Sequence, residues 1–267
     1  MLIGLLCLFA CLYTSKVEDS QTFTCPVSTF TSLTIDTHNG AVTATAITDT
    51  IASVKVTRYA YGRNKTDATN QLNQITIEDT VSAGSWSLKA NFPSTAKPMG
   101  ALMDAQVLAN IRLNISTSNG NVTVSGIAAP ISVATSNGDV ILTGTADDAE
   151  ISTSNAKVVV QVHSGRIDIN TSNGEIDCDL SLLPATSGAN LATSNGKVTL
   201  SLPPDVSAYI TATTSNGTVV ITGYSVQYDE KTQNHIRAKI GSGASPITII
   251  TSNGDIIIQN RVRAVKL

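Results

Sequence analysis

Glu175, Asp177 and Asp179 alternate with Ile176, Cys178 and Leu180. Neighbouring side chains of an extended strand point to opposite faces, so this spacing puts three carboxylates on one face. Arg166 and Asp168 fall on the preceding strand of the same repeat unit. Converging carboxylates with a basic neighbour are what glycosidic cleavage needs: one group protonates the leaving oxygen, another activates water or attacks. No aromatic platform for a sugar accompanies the row, and the favoured reading is a solvated outer strand face.

Other chemistry has less to build on. His38, His163 and His235 are scattered, and Ser is too common for a Ser/His/Asp set to stand out. Cys7 and Cys11 lie in the apolar leader, and Cys25 and Cys178 are far apart. A disulfide between the last two is one option; two buried thiols are favoured. No CxxC or Cys/His cluster suggests zinc. Asp follows the recurring turn only at Asp139 and Asp255, with Lys157 and Lys197 in other copies, which argues against calcium. Gly165 and Gly241–Gly243 make no phosphate loop. The expectation is no catalytic residue, no metal and no cofactor. The net charge of −3 gives no electrostatic case for nucleic acid.

The elements that would position these groups come from a repeat. Thr-Ser-Asn-Gly occurs at 117–120, 135–138, 171–174, 193–196, 214–217 and 251–254. Thr153-Ser154-Asn155-Ala156 and Thr37-His38-Asn39-Gly40 are variants. Asn119, Asn137, Asn155 and Asn173 follow one another at steps of 18, and the later steps are 22, 21 and 37. A period near 20 residues marks a solenoid whose units cannot fold alone. The longer steps mark excursions at Leu183–Gly188, Leu202–Ser207 and Tyr224–Gly243, the last adding about one unit of chain.

Each copy reads strand, turn, strand. After the turn, Val122, Val140, Val158, Ile176, Val198, Val219 and Ile256 form one inward column. Val124, Leu142, Val160, Cys178, Leu200, Ile221 and Ile258 form the next. A slip of one residue would turn all of them outward, so the register is strongly specified. Asp139, Lys157, Glu175 and Lys197 alternate in sign on successive copies, as stacked in-register neighbours should. Asn-Gly suits a turn needing positive φ, and stacked Asn amides can form a ladder. A meander of hairpins is the rival arrangement, but it does not require a constant period. Candidate turn residues are Asn119, Gly120, Asn137, Gly138, Asn155, Asn173, Gly174, Asn195, Gly196, Asn216, Gly217, Asn253 and Gly254.

Apolar residues make up 42% of the chain, aromatics 4% and charged residues 14%, so the core must use small β-branched side chains and the surface Ser, Thr and Asn. Leu2–Tyr13 is an apolar run shorter than the ~18–20 residues that span a bilayer, and matches a signal-peptide core. Residues 1–15 are expected to be a signal peptide or membrane anchor, and 16–30 a linker. Residues 31–105 would be an N-terminal β part with a short helix near 66–73, capped by Thr66. Strands are expected at Ile51–Tyr59, Ile75–Asp79 and Ser85–Asn91, with an irregular excursion over 93–104. Residues 106–260 would be the repeat solenoid and 261–267 a tail. The fold class is all-β: a single-stranded β-solenoid or β-helix with coils of about 18–22 residues.

The Thr-Ser-Asn-Gly-[Asp/Lys/Glu]-[Val/Ile] repeats, ending in Ile240–Ile256, resemble the putative-adhesin domain family, a domain of unknown function similar to the heads of autotransporter adhesins. Val54–Ile77 is similar to that family's N-terminal part. The resemblance covers about residues 30–260 and implies a β-solenoid, usually secreted or membrane-attached. It supplies no catalytic residues.

Asn64, Asn114, Asn121, Asn170 and Asn216 head glycosylation sequons, which a Thr/Ser/Asn-rich chain also produces by chance. Ile141 beside Val159 could be an outward apolar stripe, expected to lie under one of the excursions. The functional expectation is a non-catalytic, exported, adhesin-like structural or binding module. It would be secreted, at the cell surface, or membrane-anchored outside the cytoplasm through residues 2–13, with a surface protein or glycan as partner. The alternatives are a polysaccharide-acting β-helix enzyme, a lyase or hydrolase, or an envelope-stress regulatory protein.

Overall fold

The computed structural model describes residues 14–93, 98–185 and 187–261. The leader, and with it the expected signal peptide or anchor, lies outside them. The N-terminal part contains β1 (Ser15–Pro26), β2 (Ser32–Asp36), β3 (Val42–Ile47), β4 (Ile51–Gly62), α1 (Lys65–Leu72), β5 (Thr76–Ser82), β6 (Ser85–Asn91) and β7 (Met99–Leu108). The repeats then give two strands per coil: β8 (Arg112–Ser116) and β9 (Val122–Ser125), β10 (Ile131–Ala134) and β11 (Val140–Thr143), β12 (Ala149–Ser152) and β13 (Val158–Ser164). β14 (Ile167–Thr171) and β15 (Ile176–Leu182), then β16 (Ala189–Thr193) and β17 (Val198–Leu202), continue the series. β18 (Ala208–Asn216), β19 (Val219–Thr222), β20 (Val226–Lys231), β21 (His235–Ile240), β22 (Ser245–Asn253) and β23 (Ile256–Asn260) complete it.

In each coil the strand before the corner joins a 12-stranded sheet and the strand after it an 11-stranded sheet. The core lies between the two. Val140 sits between Val122 and Val158, and Leu142 between Val124 and Val160, in parallel register. The inward columns are buried throughout, except that Ile221 near one end is only half-buried. Each buried Val, Leu or Ile contributes roughly 1.5–3 kcal/mol, so the register is held by the whole column.

Three features differ from the sequence reading. Residues 16–30 are no linker: β1 pairs antiparallel with β4 along its whole length. Its mostly exposed edge position gives little hydrophobic alternation to read. The expected excursion over 93–104 contains most of β7, which lies between β4 and β3. The helix is capped by Asn64, whose Oδ1 accepts the backbone N–H of Asp67 at 2.9 Å, and not by a Thr. The excursion Tyr224–Gly243 contains the antiparallel hairpin β20–β21, laid against β18.

The described phenylalanines and the tryptophan all belong to the N-terminal part. Trp86 is fully buried, stands edge-on to Phe30 at 5.3 Å, and donates from Nε1 to Asp79 at 2.8 Å. A small second core, Ala60, Leu72, Ile75 and Met99, packs where α1 covers this end.

The coils do not stack in chain order. β22 lies between β16 and β18, and β23 between β17 and β19, so the last coil fills a place between the two before it.

Candidate functional site

The corner tetrapeptide is accounted for atom by atom. Asn119 Nδ2 donates to Asn39 Oδ1, and the same bond links 137 to 119, 155 to 137, 173 to 155, 195 to 173, 253 to 195 and 216 to 253, at 2.7–2.9 Å. Asn39 closes the column by donating to the carbonyl of Met99. Chains of such bonds polarise one another.

The glycines serve close approach, not positive φ. A Cβ on Gly120 would fall 1.9 Å from the carbonyl oxygen of Gly40, and one on Gly138 1.9 Å from that of Gly120. Gly40, Gly120, Gly138, Gly174, Gly196 and Gly217 do not have positive φ, and only Gly254 does, at 159° and nearly extended, which corrects the turn argument made from sequence.

The Thr of each copy is buried, and its Oγ1 donates to the corner carbonyl of the adjacent coil at 2.8–3.5 Å. Thr153 is the exception: its Oγ1 is buried without a partner, in the one coil that carries Ala156 in place of Gly. The motif's polar atoms are thus largely spent on neighbouring coils.

The charge column after the corner follows the stack. Lys157 Nζ lies 3.8 Å from Glu175, and Asp139 accepts the Lys157 backbone N–H at 3.0 Å. Because the last coil is inserted, Asp255 follows Lys197, extending the sign alternation by one coil. Asp255 Oδ1 also accepts both the N–H and the hydroxyl of Thr218, which hold its carboxyl below the ordinary range, with Lys197 a smaller cause.

The acidic row is split by its partners. Glu175 faces Lys157, and Asp179 pairs with Arg261 at 2.7 Å. Asp177 lines an open groove of about 460 Å³ with Asp179, Arg261, Gln259, Val159 and Val162. Arg166 and Asp168, 3.4 Å apart, belong to the other sheet, so the five groups do not converge.

The second sheet carries a groove of about 320 Å³ that the sequence reading did not assemble. Arg112, Asn114, Ser132, Asp148, Glu150, Arg166 and Asp168 line it, over a floor that includes Pro130. Arg112, Pro130, Asp148 and Arg166 follow the same 18-residue step as the corners, so carrying the column count to the strand before the corner would have found them. Among the described residues, Arg112, Asp148 and Glu150 make no ion pair, while Asp168 takes Arg166 and the Asn190 amide.

One coil carries local strain. At one step of 18 residues stand Gly126 (φ 73°) and Gly144 (φ 61°), each just after its strand, and Val162 (φ 60°), inside β13. A β-branched residue in that conformation is a genuine outlier. The irregularity after Val160 turns Val162 outward and His163 inward. His163 is fully buried, with Nδ1 3.0 Å from Thr145 Oγ1 and Nε2 3.2 Å from the Arg166 carbonyl. Burial pushes its pKa below the ordinary histidine value.

The remaining candidates separate by geometry. Asn64, Asn121, Asn170 and Asn216 are exposed and Asn114 is half-buried in the groove. The Asn216 amide nitrogen, where a glycan would attach, is committed to the ladder. Cys25 and Cys178 are both buried and unpaired, and burial pushes the Cys178 thiol up. Ile141 and Val159 are neighbours across β11–β13, with Ile141 36% exposed. The large excursion does not cover them, since it extends the other sheet. No described helix is long and apolar enough to cross a membrane.

No curated protein matches the chain in sequence. Among solved structures it is similar to a putative cell adhesion protein from Clostridium sporogenes, at 13% identity over 92% of this chain and 100% of that one, with a TM-score of 0.38. It is also similar to a putative adhesin from Parabacteroides distasonis, at 10% identity over 91% and 97% of the two chains, with a TM-score of 0.35. A putative lipid binding protein from the same organism gives 12%, 91%, 97% and 0.35 in turn. The family model that matches, over residues 90–259, is Toastrack DUF4097. With its corner ladder and paired sheets, the chain belongs to the Toastrack DUF4097 family, a β-solenoid-like domain of unknown function.

Proposed function

We propose that this chain is a non-catalytic, exported β-solenoid acting as an adhesin-like binding module at the cell surface. The observation that carries the reading is a division of labour between corner and face. The corner amides are spent on neighbouring coils, while among the described residues Arg112, Asp148 and Glu150 stand without ion-pair partners around a groove on a strand face. Unpaired donors and acceptors at fixed spacing suit a polar partner, such as glycan hydroxyls or the backbone of a surface protein. The non-catalytic half is supported by the acidic row. Acid–base work needs groups converging on one reacting atom, whereas Glu175 and Asp179 are taken by Lys157 and Arg261.

The test is binding of the full chain to an array of surface polysaccharides and matrix proteins. Arg112→Ala with Glu150→Ala should weaken binding about tenfold, or ~1.4 kcal/mol, with no change in melting temperature. Glu175→Gln/Asp177→Asn/Asp179→Asn should bind like the wild type. Release of reducing sugar by the wild type, lost in that triple variant, would overturn the reading in favour of a polysaccharide-acting enzyme. Export should require residues 1–15, which a tagged chain with and without them would show.

A further inference from the structure

The inserted coil sets up an exchange. Leaving β17, the chain does not occupy the adjacent place but forms β18–β19 one place further on, and only Ser245–Asn260 fills the gap. The register is continuous through it: Leu191 pairs with Ile249, which pairs with Ala212, and Leu200 pairs with Ile258, which pairs with Ile221. Asn253 completes the ladder on both sides. The far wall of the slot has its own support, because β18 is held antiparallel by β21 and Tyr224 Oη donates to the Leu202 carbonyl at 2.6 Å. Between β21 and β22 runs Gly241-Ser242-Gly243-Ala244, with φ +62° and +75° at the two glycines.

We propose that the coil Ser245–Asn260 is exchangeable between copies of this chain, entering the same slot of a second molecule in identical register. The partner is a second copy, because the contacts that hold the coil belong to this chain and recur unchanged in its twin. Closed and exchanged forms then differ in the hinge and in association entropy, the condition for low-cost swapping. Short hinge loops favour this outcome. Reciprocal exchange gives dimers, and open exchange gives chains of molecules.

Thr199 and Ile257 are partners across β17–β23 on the outer face, so cysteines there meet only when the coil is seated. The full chain with Cys7 and Cys11 changed to Ser carries either Thr199→Cys or Ile257→Cys. The two are mixed, held just below the denaturant midpoint, returned to buffer and oxidised. The expected result is a 199-to-257 interchain disulfide on the order of tenfold above either variant alone. Thr199→Cys/Ile257→Cys, oxidised within the chain beforehand, should stay monomeric through the same treatment. No excess of the interchain link, while that double variant closes within its own chain, overturns the proposal. Val220→Cys against Ile257→Cys, across β19–β23, repeats the test should position 199 disturb folding.

Discussion

At the scale of single residues, the corner positions tolerate little because their neighbours are backbone. Gly138→Ala would drive a Cβ against the Gly120 carbonyl and should destabilise by about 1–3 kcal/mol in a denaturant melt. Val162→Gly should do the opposite: relief of a strained φ, worth about 1–3 kcal/mol, outweighs the entropy glycine adds to the unfolded chain. A melting temperature raised by this change, with unchanged dichroism, is the expected outcome. His163 gives a pH dependence whose sign is fixed. Its folded pKa lies below the ordinary 6.5, so the unfolded chain takes up the proton first. Stability is therefore full above pH 6.5 and falls as pH drops from there toward the folded pKa. His163→Gln, measured by urea melts across pH 5–8, should flatten that fall. The recurring Asn was legible from sequence as a ladder, because an amide both donates and accepts along a stack. The role of Gly was not, since a backbone contact between coils leaves no local signal beyond the glycine itself.

At the scale of elements, alternation decides the damage. Val160 is buried and Val159 lies on the outer face beside Ile141. Val160→Asp buries a charge without a partner and should cost on the order of 4 kcal/mol or more, while Val159→Asp should cost less than about 1. Equal losses in a thermal melt would contradict the register. The strands of the repeats could be read because period-2 alternation and an 18-residue step reinforce one another at Val122, Val140 and Val158. β1 could not, because an exposed edge strand needs no apolar face. The site was half legible. Arg166 and Asp168 fall close to Glu175 in sequence, but one repeat's two strands belong to sheets whose outer faces point apart, so chain proximity groups residues that the fold separates.

At the scale of the whole molecule, one column of asparagines runs from the Met99 carbonyl to Asn216. The N-terminal end is covered by α1 with β1 and β5, and the other end by the β20–β21 hairpin. The inserted coil was invisible in sequence because every coil offers the same register, so a step of 37 residues cannot say which neighbour the last one chooses. The central claim is that the recurring tetrapeptide holds the stack while the strand faces meet the partner. Asn137→Asp tests it most directly, by melting temperature together with binding to the surface-glycan and matrix-protein array. The change replaces the Asn137 donor with an acceptor facing Asn119 Oδ1 and should cost about 1–3 kcal/mol at pH 7. Part of that should return at acid pH, where a protonated carboxyl donates again, and the folded variant should bind like the wild type. An unchanged melting temperature with binding abolished would contradict the account.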